Sequence, residues 1–171
     1  MHAVVSVDGF IADLEENVGP LFDWYFNGDA EIVDGGPFKV SSDSVRYVRP
    51  MWQGIGTIVM GRQLFDLTNG WEGTPPAGEH IVVVTHRPRP EGWHPEASCQ
   101  FVDNISRAIM VAKELAGERD VAVTAGNVGG QASHSGSSTR SRWTSCPWCS
   151  GAASGTSGPS TRSSYWRIQT S

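Results

Sequence analysis

Two short apolar runs limit most strongly what this chain can fold into. Residues 57–60 (TIVM) and 81–85 (IVVVT) carry no charge, which is typical of strands that are buried on both faces of a parallel sheet. The first run leads through Gly61-Arg62 into a short helical stretch at residues 63–67. Because strands alternate with helices along the chain, we predict an α/β layer fold with a largely parallel sheet.

Capping residues and the spacing of apolar residues predict two longer helices. Asn104 is a suitable cap for a helix that has an apolar face and ends at Gly117. Ser42 or Asp43 is a suitable cap for an earlier helix, which Pro50 should kink or shorten. The apolar face of that earlier helix comprises Val45, Val48, Met51 and Trp52.

Residues 121–132 (VAVTAGNVGGQA) combine a strand, a glycine turn and a helix start. This order is how α/β proteins hold a phosphate, because glycines let the backbone approach the ligand and free helix N–H groups face the anion. The spacing is not the full GxGxxG pattern. A tight β–α turn without a ligand is therefore an equal alternative at this stage.

Three predicted strands end in residues that suit a phosphorylated dinucleotide. Gly61-Arg62 follows the first apolar run, Thr85-His86-Arg87 ends the second, and residues 126–130 (GNVGG) follow the strand at residues 121–124. The carboxyl ends of parallel strands meet at one edge of a sheet, and arginine holds phosphate bidentately. Each arginine alone is more often a solvated surface residue, but the three endings together favour a phosphate site.

At these residues the chain resembles a known family. Residues 5–12 (VSVDGFIA), 59–65 (VMGRQLF), 81–88 (IVVVTHRP) and 123–130 (VTAGNVGG) are similar to the dihydrofolate reductase-like proteins. Within that group they most resemble the C-terminal reductase domain of the riboflavin-biosynthesis deaminase-reductase. The resemblance covers residues 3–132. It implies a three-layer α-β-α fold with a mixed, mainly parallel sheet, and it implies NADPH-dependent reduction of a cyclic C=N or C=O.

The resemblance also assigns roles to particular residues. It implies that Gly61 and Arg62 lie at the phosphates of NADPH, and that Thr85, His86 and Arg87 meet the adenosine ribose and its 2′-phosphate. It implies that Asp8 faces the substrate near the nicotinamide as a catalytic proton relay, although Asp-Gly is also an ordinary turn dipeptide. The residues implied for the pyrophosphate are Gly126, Asn127, Val128, Gly129 and Gly130.

The composition changes after Ala132. Residues 133–171 contain four arginines, no lysine and no acidic residue, so all 18 acidic residues precede them. Thirteen of these residues are serine, and Ile168 is the only Val, Ile, Leu or Met among them. We therefore predict a reductase domain over residues 1–132, incomplete because its C-terminal strands are missing, and a disordered tail over residues 133–171.

A frameshift explains this tail. If the third base of each codon is read with the first two bases of the next, Trp143 with Thr144 must give Asp, and Trp148 with Cys149 must give Val. From Arg142 onward the shifted reading allows MDLVPVVFG and then SGKRYFG. That reading resembles the strand and turn that belong here in the family. Our hypothesis is a frameshift close to residues 131–135, in the gene or in the recorded sequence.

The net charge of −5 gives no reason to expect nucleic acid or a membrane surface as a partner. The sequence shows no apolar membrane span, no signal peptide and no clustered metal ligands, so we expect a cytoplasmic protein with a small-molecule substrate and no metal. The family's tendency to form homodimers is a further expectation.

Several alternatives remain open from the sequence. The substrate could be dihydrofolate, a ribosylaminopyrimidine or another heterocycle, and a deazaflavin could replace NADPH. In a second class of function, the protein is not an enzyme. It is then either a non-catalytic nucleotide-binding protein or an inactive truncated fragment. Cys146 and Cys149 have the CxxC spacing of a redox dithiol, but they lack a βα context, which disfavours that third function.

Overall fold

The computed structural model describes residues 17–134 and the backbone of two further segments, residues 2–5 and 142–145. Two 3-10 segments, Gly19–Tyr25 and Asn69–Gly73, lie among the regular elements. The strands are β1 (His2–Val5), β2 (Ala30–Glu31), β3 (Lys39–Val40), β4 (Ile55–Gly61), β5 (His80–Val84), β6 (Cys99–Val102), β7 (Asp120–Val123) and β8 (Arg142–Ser145). The helices are α1 (Ser42–Gln53), α2 (Arg62–Thr68), α3 (Ile105–Ala116) and α4 (Asn127–His134).

A four-stranded parallel sheet forms the centre of the described structure. Its strand order is β6-β5-β4-β7, and Val59 of β4 lies opposite Val82 of β5 and Val123 of β7. Strands β2 and β3 form a separate antiparallel pair. The predicted α/β fold with a mainly parallel sheet is confirmed.

The alternation of side chains along β4 divides the core into two clusters. Ile58 and Met60 point to one face, where they join Trp52 of α1 and Phe65 of α2. Val59 points to the other face, where the cluster includes residues of α3 and α4. Because helices cover both faces of the sheet, the described part of the chain is compatible with a three-layer arrangement.

Helix α1 begins one residue earlier than predicted and is not ended by proline. Ser41 is the N-cap, and its hydroxyl oxygen accepts the N–H of Ser44 at 3.2 Å. The helix continues for three residues beyond Pro50, and the Pro50 carbonyl accepts the N–H of Gly54. Of the two predicted effects of Pro50, a kink or a shorter helix, the shorter helix is not observed, because burial of Trp52 in the core favours a further helical turn.

Helix α3 agrees with the prediction at both ends. The side-chain oxygen of Asn104 accepts the N–H groups of Ser106 and Arg107, and Gly117 ends the helix with a positive φ of 61°. A positive φ is a conformation that glycine adopts without the steric cost that other residues incur. Local capping chemistry therefore determined both boundaries.

Helix α4 begins inside the stretch that was predicted to be a glycine turn. The sequence predicted a turn through Gly130 and a helix start at Gln131, but the helix starts at Asn127. Val128 and Ala132 are both buried in the second core cluster. Residues four apart lie on one helix face, so burial of this pair outweighs the low helix propensity of the glycines between them.

Strand β8 lies within the segment for which composition predicts disorder. It pairs in parallel with β1, with His2 opposite Arg142 and Val5 opposite Ser145. Helix α4 also extends two residues past the predicted boundary at Ala132. Residues 135–141 and 146–171, which include the CxxC cysteines, lie outside the described residues, so disorder of the tail stays a prediction.

Asp8, the predicted catalytic residue, also lies outside the described residues. Among the strands that the structure describes, β4 is the only partner of β7, which therefore forms an edge of the sheet. None of the described helices is both long enough and apolar enough to cross a membrane.

Candidate functional site

Strands β4 and β7 lie side by side, and the candidate crevice is the region beyond their carboxyl ends. Helix α2 follows β4 and packs on one face of the sheet through Phe65, whereas α4 follows β7 and packs on the opposite face through Val128. Adjacent parallel strands whose following helices diverge in this way form a topological switch point, which is where ligands bind in open α/β sheets. The fold therefore places a candidate binding site between Gly61 and Gly126.

The two helix starts approach each other closely at Gly61. A Cβ atom on Gly61 would lie 3.2 Å from Cγ2 of Val128, a separation tighter than ordinary side-chain contact. Gly61 is also the N-cap of α2. The glycine thus lets the backbone of β4 reach the first turn of α4 without forcing Val128 aside.

The first turn of α4 offers backbone N–H groups at this crevice. Gly126 has a φ of 87°, which turns the chain from β7 into the helix. The N–H groups in the first turn of a helix have no intrahelical acceptor, so those of Asn127, Val128 and Gly129 suit an anion. The N–H of Gly130 already donates to the carbonyl of Gly126 at 2.9 Å.

Gly130 differs from the other residues that the resemblance implies for the pyrophosphate. The resemblance implied that Gly130 binds the pyrophosphate, but its N–H is engaged inside the helix, because α4 starts at Asn127. The first-turn N–H groups of Asn127, Val128 and Gly129 are therefore the ones in this stretch that suit an anion.

Arg62 is occupied by contacts within the protein. Its Nε donates to Oδ1 of Asp66 at 2.7 Å, and its Nη1 donates to the carbonyl of Pro88 at 2.9 Å. The guanidinium lies over the rings of Phe65 and Phe101, at 5.5 and 5.9 Å from their centroids. Only 16% of the side chain is exposed. Arg62 thus ties α2 to the segment after β5, a role that the sequence did not predict.

The segment after β5 presents the predicted Thr85, His86 and Arg87 at a cleft. The N–H of Thr85 donates to the carbonyl of Val102, and its hydroxyl oxygen accepts the N–H of Arg87 at 3.0 Å. Nη2 of Arg87 lies 2.8 Å from Oδ2 of Asp66, and 61% of the Arg87 side chain is exposed. The guanidinium is thus accessible while it is held by one carboxylate.

The cleft has a volume of about 510 Å³ and lies beyond the ends of β5 and β6. Arg107, in the first turn of α3, and Asp103 belong to it in addition to the predicted residues. Sequence reasoning missed both, although β6 ends directly before them and the same strand-end argument applies. The lining residues are Thr85, His86, Arg87, Pro88, Arg89, Phe101, Val102, Asp103 and Arg107.

Arg89 lines the cleft but supports the loop behind it. Its guanidinium donates to the carbonyls of Trp93 and His94 and lies 5.2 Å from the centroid of the Trp93 ring. These bonds fix residues 89–94 beside β6. Arg89 is therefore a structural residue, and the accessible cations of the cleft are Arg87 and Arg107.

Asp66, which pairs with Arg87, and Cys99, at the start of β6, have shifted pKa values. The hydrogen bond from Arg62, followed by that from Arg87, lowers the pKa of the Asp66 carboxyl. Burial raises the pKa of the Cys99 thiol to about 11, so this cysteine is a poor nucleophile near neutral pH. Within the described residues no group of three or more His, Cys, Asp or Glu side chains could hold a metal ion.

The predicted site residues therefore fall into two neighbouring groups. Gly61 and residues 126–129 meet at the crevice between β4 and β7, whereas Thr85, His86 and Arg87 lie at the cleft, and Arg62 supports the cleft from behind. In comparisons with known proteins, no protein-family model matches the chain, and no curated protein matches its sequence.

Proposed function

We propose that this protein is an NADPH-dependent reductase of a small heterocyclic substrate, pterin-like or pyrimidine-like. The observation that carries the proposal is the crevice at the switch point between β4 and β7, where α2 and α4 begin against each other. A crevice of this kind, with glycine backbone and free N–H groups, suits a pyrophosphate. The four motifs that resemble dihydrofolate reductase-like proteins supply the choice of cofactor and reaction.

The positions of the two site groups fit one nucleotide. The crevice lies between β4 and β7, and the cleft lies beyond β5 and β6. With strands about 4.8 Å apart, their midpoints are two strand spacings apart, or about 10 Å. A pyrophosphate in the crevice and an adenosine 2′-phosphate at Arg87 are compatible with that separation, and Arg107 faces the same cleft.

Each residue then has a defined task. The backbone of Gly61 and the first turn of α4 hold the pyrophosphate, while Thr85, His86 and Arg87 bind the adenosine ribose and its phosphate. Asp8 is proposed to relay a proton to the substrate. NADPH supplies the hydride when it is bound, and the protein supplies position and electrostatics.

The test begins with a calorimetric titration of the purified chain with NADPH, and with a deazaflavin in parallel. Turnover is then measured with dihydropterins and with aminopyrimidine ribosides. Binding and turnover are the expected results. Binding without hydride transfer supports the alternative of a non-catalytic nucleotide-binding protein, and no binding supports an inactive truncated fragment.

A matched pair of variants tests the anion site on α4. Asn127→Asp adds a carboxylate to the first helical turn, where negative charge stabilises the helix but repels a pyrophosphate. We expect NADPH affinity to fall by about tenfold or more, with no loss of thermal stability. Gln131→Glu makes the same change of charge one turn later. If the two variants weaken NADPH binding equally, the first turn of α4 is not the pyrophosphate site.

A further inference from the structure

We propose that Asp66 is a built-in counter-anion for Arg87, and that it limits how strongly the cleft prefers a 2′-phosphorylated adenosine over an unphosphorylated one. The inference rests on the proposed function and names the residue that sets its cofactor selectivity. Asp66 lies on α2, outside the residues that line the cleft. It acts on the ligand through its ion pair with Arg87.

The carboxylate of Asp66 bridges two arginines. Oδ1 accepts from Nε of Arg62 at 2.7 Å, and Oδ2 accepts from Nη2 of Arg87 at 2.8 Å. The two arginines are not equivalent, because the exposed fraction of the side chain is 16% for Arg62 and 61% for Arg87. Arg87 is therefore the accessible member of the pair, and it is the one that a ligand can reach.

Arg62 holds the carboxylate in place. Its guanidinium also donates to the Pro88 carbonyl and lies over the rings of Phe65 and Phe101. Since Arg62 is fixed on these sides, Asp66 cannot move away freely when an anion approaches Arg87. A phosphate at Arg87 must therefore share the guanidinium with Asp66.

This arrangement has a direct consequence for selectivity. A phosphate dianion gains less from Arg87 than it would from an unpaired arginine, because the carboxylate already neutralises part of the guanidinium charge. A ribose hydroxyl carries no charge and is affected much less. Asp66 therefore weakens binding of the phosphorylated ligand and leaves binding of the unphosphorylated ligand nearly unchanged.

The test compares two probes, adenosine 2′,5′-bisphosphate and adenosine 5′-monophosphate, by calorimetric titration of the full chain. Asp66→Asn keeps the shape of the side chain and removes its charge. We expect it to tighten binding of the bisphosphate by about three- to tenfold and to change binding of the monophosphate by less than about twofold. Asp34→Asn, a carboxylate on the turn between β2 and β3, is the control and should change neither affinity.

A double-mutant cycle separates this role from a general charge effect. Arg87→Gln should weaken binding of the bisphosphate, and Asp66→Asn should give little further gain in that background. Thermal unfolding of each variant shows that it is folded. If Asp66→Asn leaves the bisphosphate affinity unchanged or weakens it, or if its gain persists without Arg87, the inference is overturned while nucleotide binding stands. If the unaltered chain binds neither probe, both the inference and the proposed function fail.

Discussion

Thr57 is a buried hydroxyl at the centre of the sheet that lacks a hydrogen-bond partner. Its side chain is fully buried, and its Oγ1 has no partner in the part of the chain that the structure describes. It lies on β4, between His80 of β5 and Val121 of β7. A buried polar group without a partner loses its hydration and gains nothing in return.

Replacement of Thr57 by valine should stabilise the protein. The two side chains have nearly the same shape, so Thr57→Val removes the unpaired hydroxyl without opening a cavity. We expect the free energy of unfolding to rise by about 1 kcal/mol, measured by urea denaturation. Thr68→Val is the control, because the Thr68 hydroxyl donates to the carbonyl of Leu64 at 2.8 Å and its loss should give no gain. Equal effects of the two changes contradict the explanation.

Four carboxylates make stability depend on acid pH. A hydrogen bond is the largest cause of a lowered pKa in each of them: from Arg62 to Asp66, from the backbone of Gly35 to Glu31, and from Asn69 to Glu72. The pKa of Glu96 is lowered by a hydrogen bond from the backbone. A carboxyl with a lower pKa in the folded state stabilises the protein above its ordinary pKa, and this contribution is lost as the pH falls through the lowered value.

We therefore expect the thermal midpoint to be nearly constant above about pH 5 and to fall between about pH 5 and pH 3. Thermal unfolding followed by circular dichroism across this range measures the effect. Asp66→Asn should make the fall shallower, because it removes one of the four groups. A midpoint that rises on acidification would contradict the assignment of these ion pairs and hydrogen bonds.

At the scale of elements, the N-cap of helix α3 supports the helical turn that carries a residue of the cleft. Asn104 receives the N–H groups of Ser106 and Arg107 at 2.8 and 3.2 Å, and Arg107 is one of the two accessible cations of the cleft. The cap therefore fixes the first turn of the helix and the backbone from which Arg107 reaches the cleft.

Asn104→Ala should destabilise the protein by about 1 kcal/mol, as loss of an N-cap typically does. Asn104→Asp retains a side-chain oxygen acceptor and should cost much less. Urea denaturation of both variants measures their free energies of unfolding. If alanine and aspartate have the same effect, the cap does not contribute as the hydrogen bonds indicate.

The elements also show what the sequence could and could not predict. The apolar runs of β4 and β5 and the cap at Asn104 are local signals, and each produced the expected element. The start of α4 was mispredicted because the burial of Val128 and Ala132 depends on a core that the local glycine pattern does not reveal. The bond between Asp66 and Arg87 joins residues 21 apart, so only the packed sheet brings them together.

The segment between α2 and β5 has an unusual backbone conformation. Asn69, Trp71 and Glu72 have positive φ angles of 47°, 50° and 51°, so the chain makes a left-handed turn there. Such a conformation is costly for residues other than glycine. Contacts with Trp93 and His94 hold the turn in place, and sequence periodicity carries no information about them.

At the scale of the whole molecule, β7 is an edge strand of the central sheet within the part of the chain that the structure describes. Its neighbour on one side is β4, and its residues Val121 and Ala122 are only half-buried. An unpaired strand edge is a template for association with another chain. If a frameshift lies near residues 131–135, a chain with the corrected reading frame is expected to contain the strands that we predict to be missing. The present chain can then be compared directly with the frame-corrected chain.

We predict that the frame-corrected chain has a higher thermal midpoint than the present chain and elutes as a single species in size-exclusion chromatography with light scattering. The present chain should show concentration-dependent association instead. Sequencing of the coding DNA across the junction checks the premise. Equal midpoints and equal association for the two chains contradict the view that the altered segment weakens the sheet.

The pairing of β4 also bears on how the protein is synthesised. Val59 meets Val82 soon after both leave the ribosome, but its other partner, Val123, is about forty residues further along. At roughly 5–20 residues per second, translation leaves one side of β4 open for several seconds. That interval is when a nascent chain most needs a chaperone. All four strands of the central sheet precede residue 131, so residues beyond the junction leave the ribosome after the whole of this sheet.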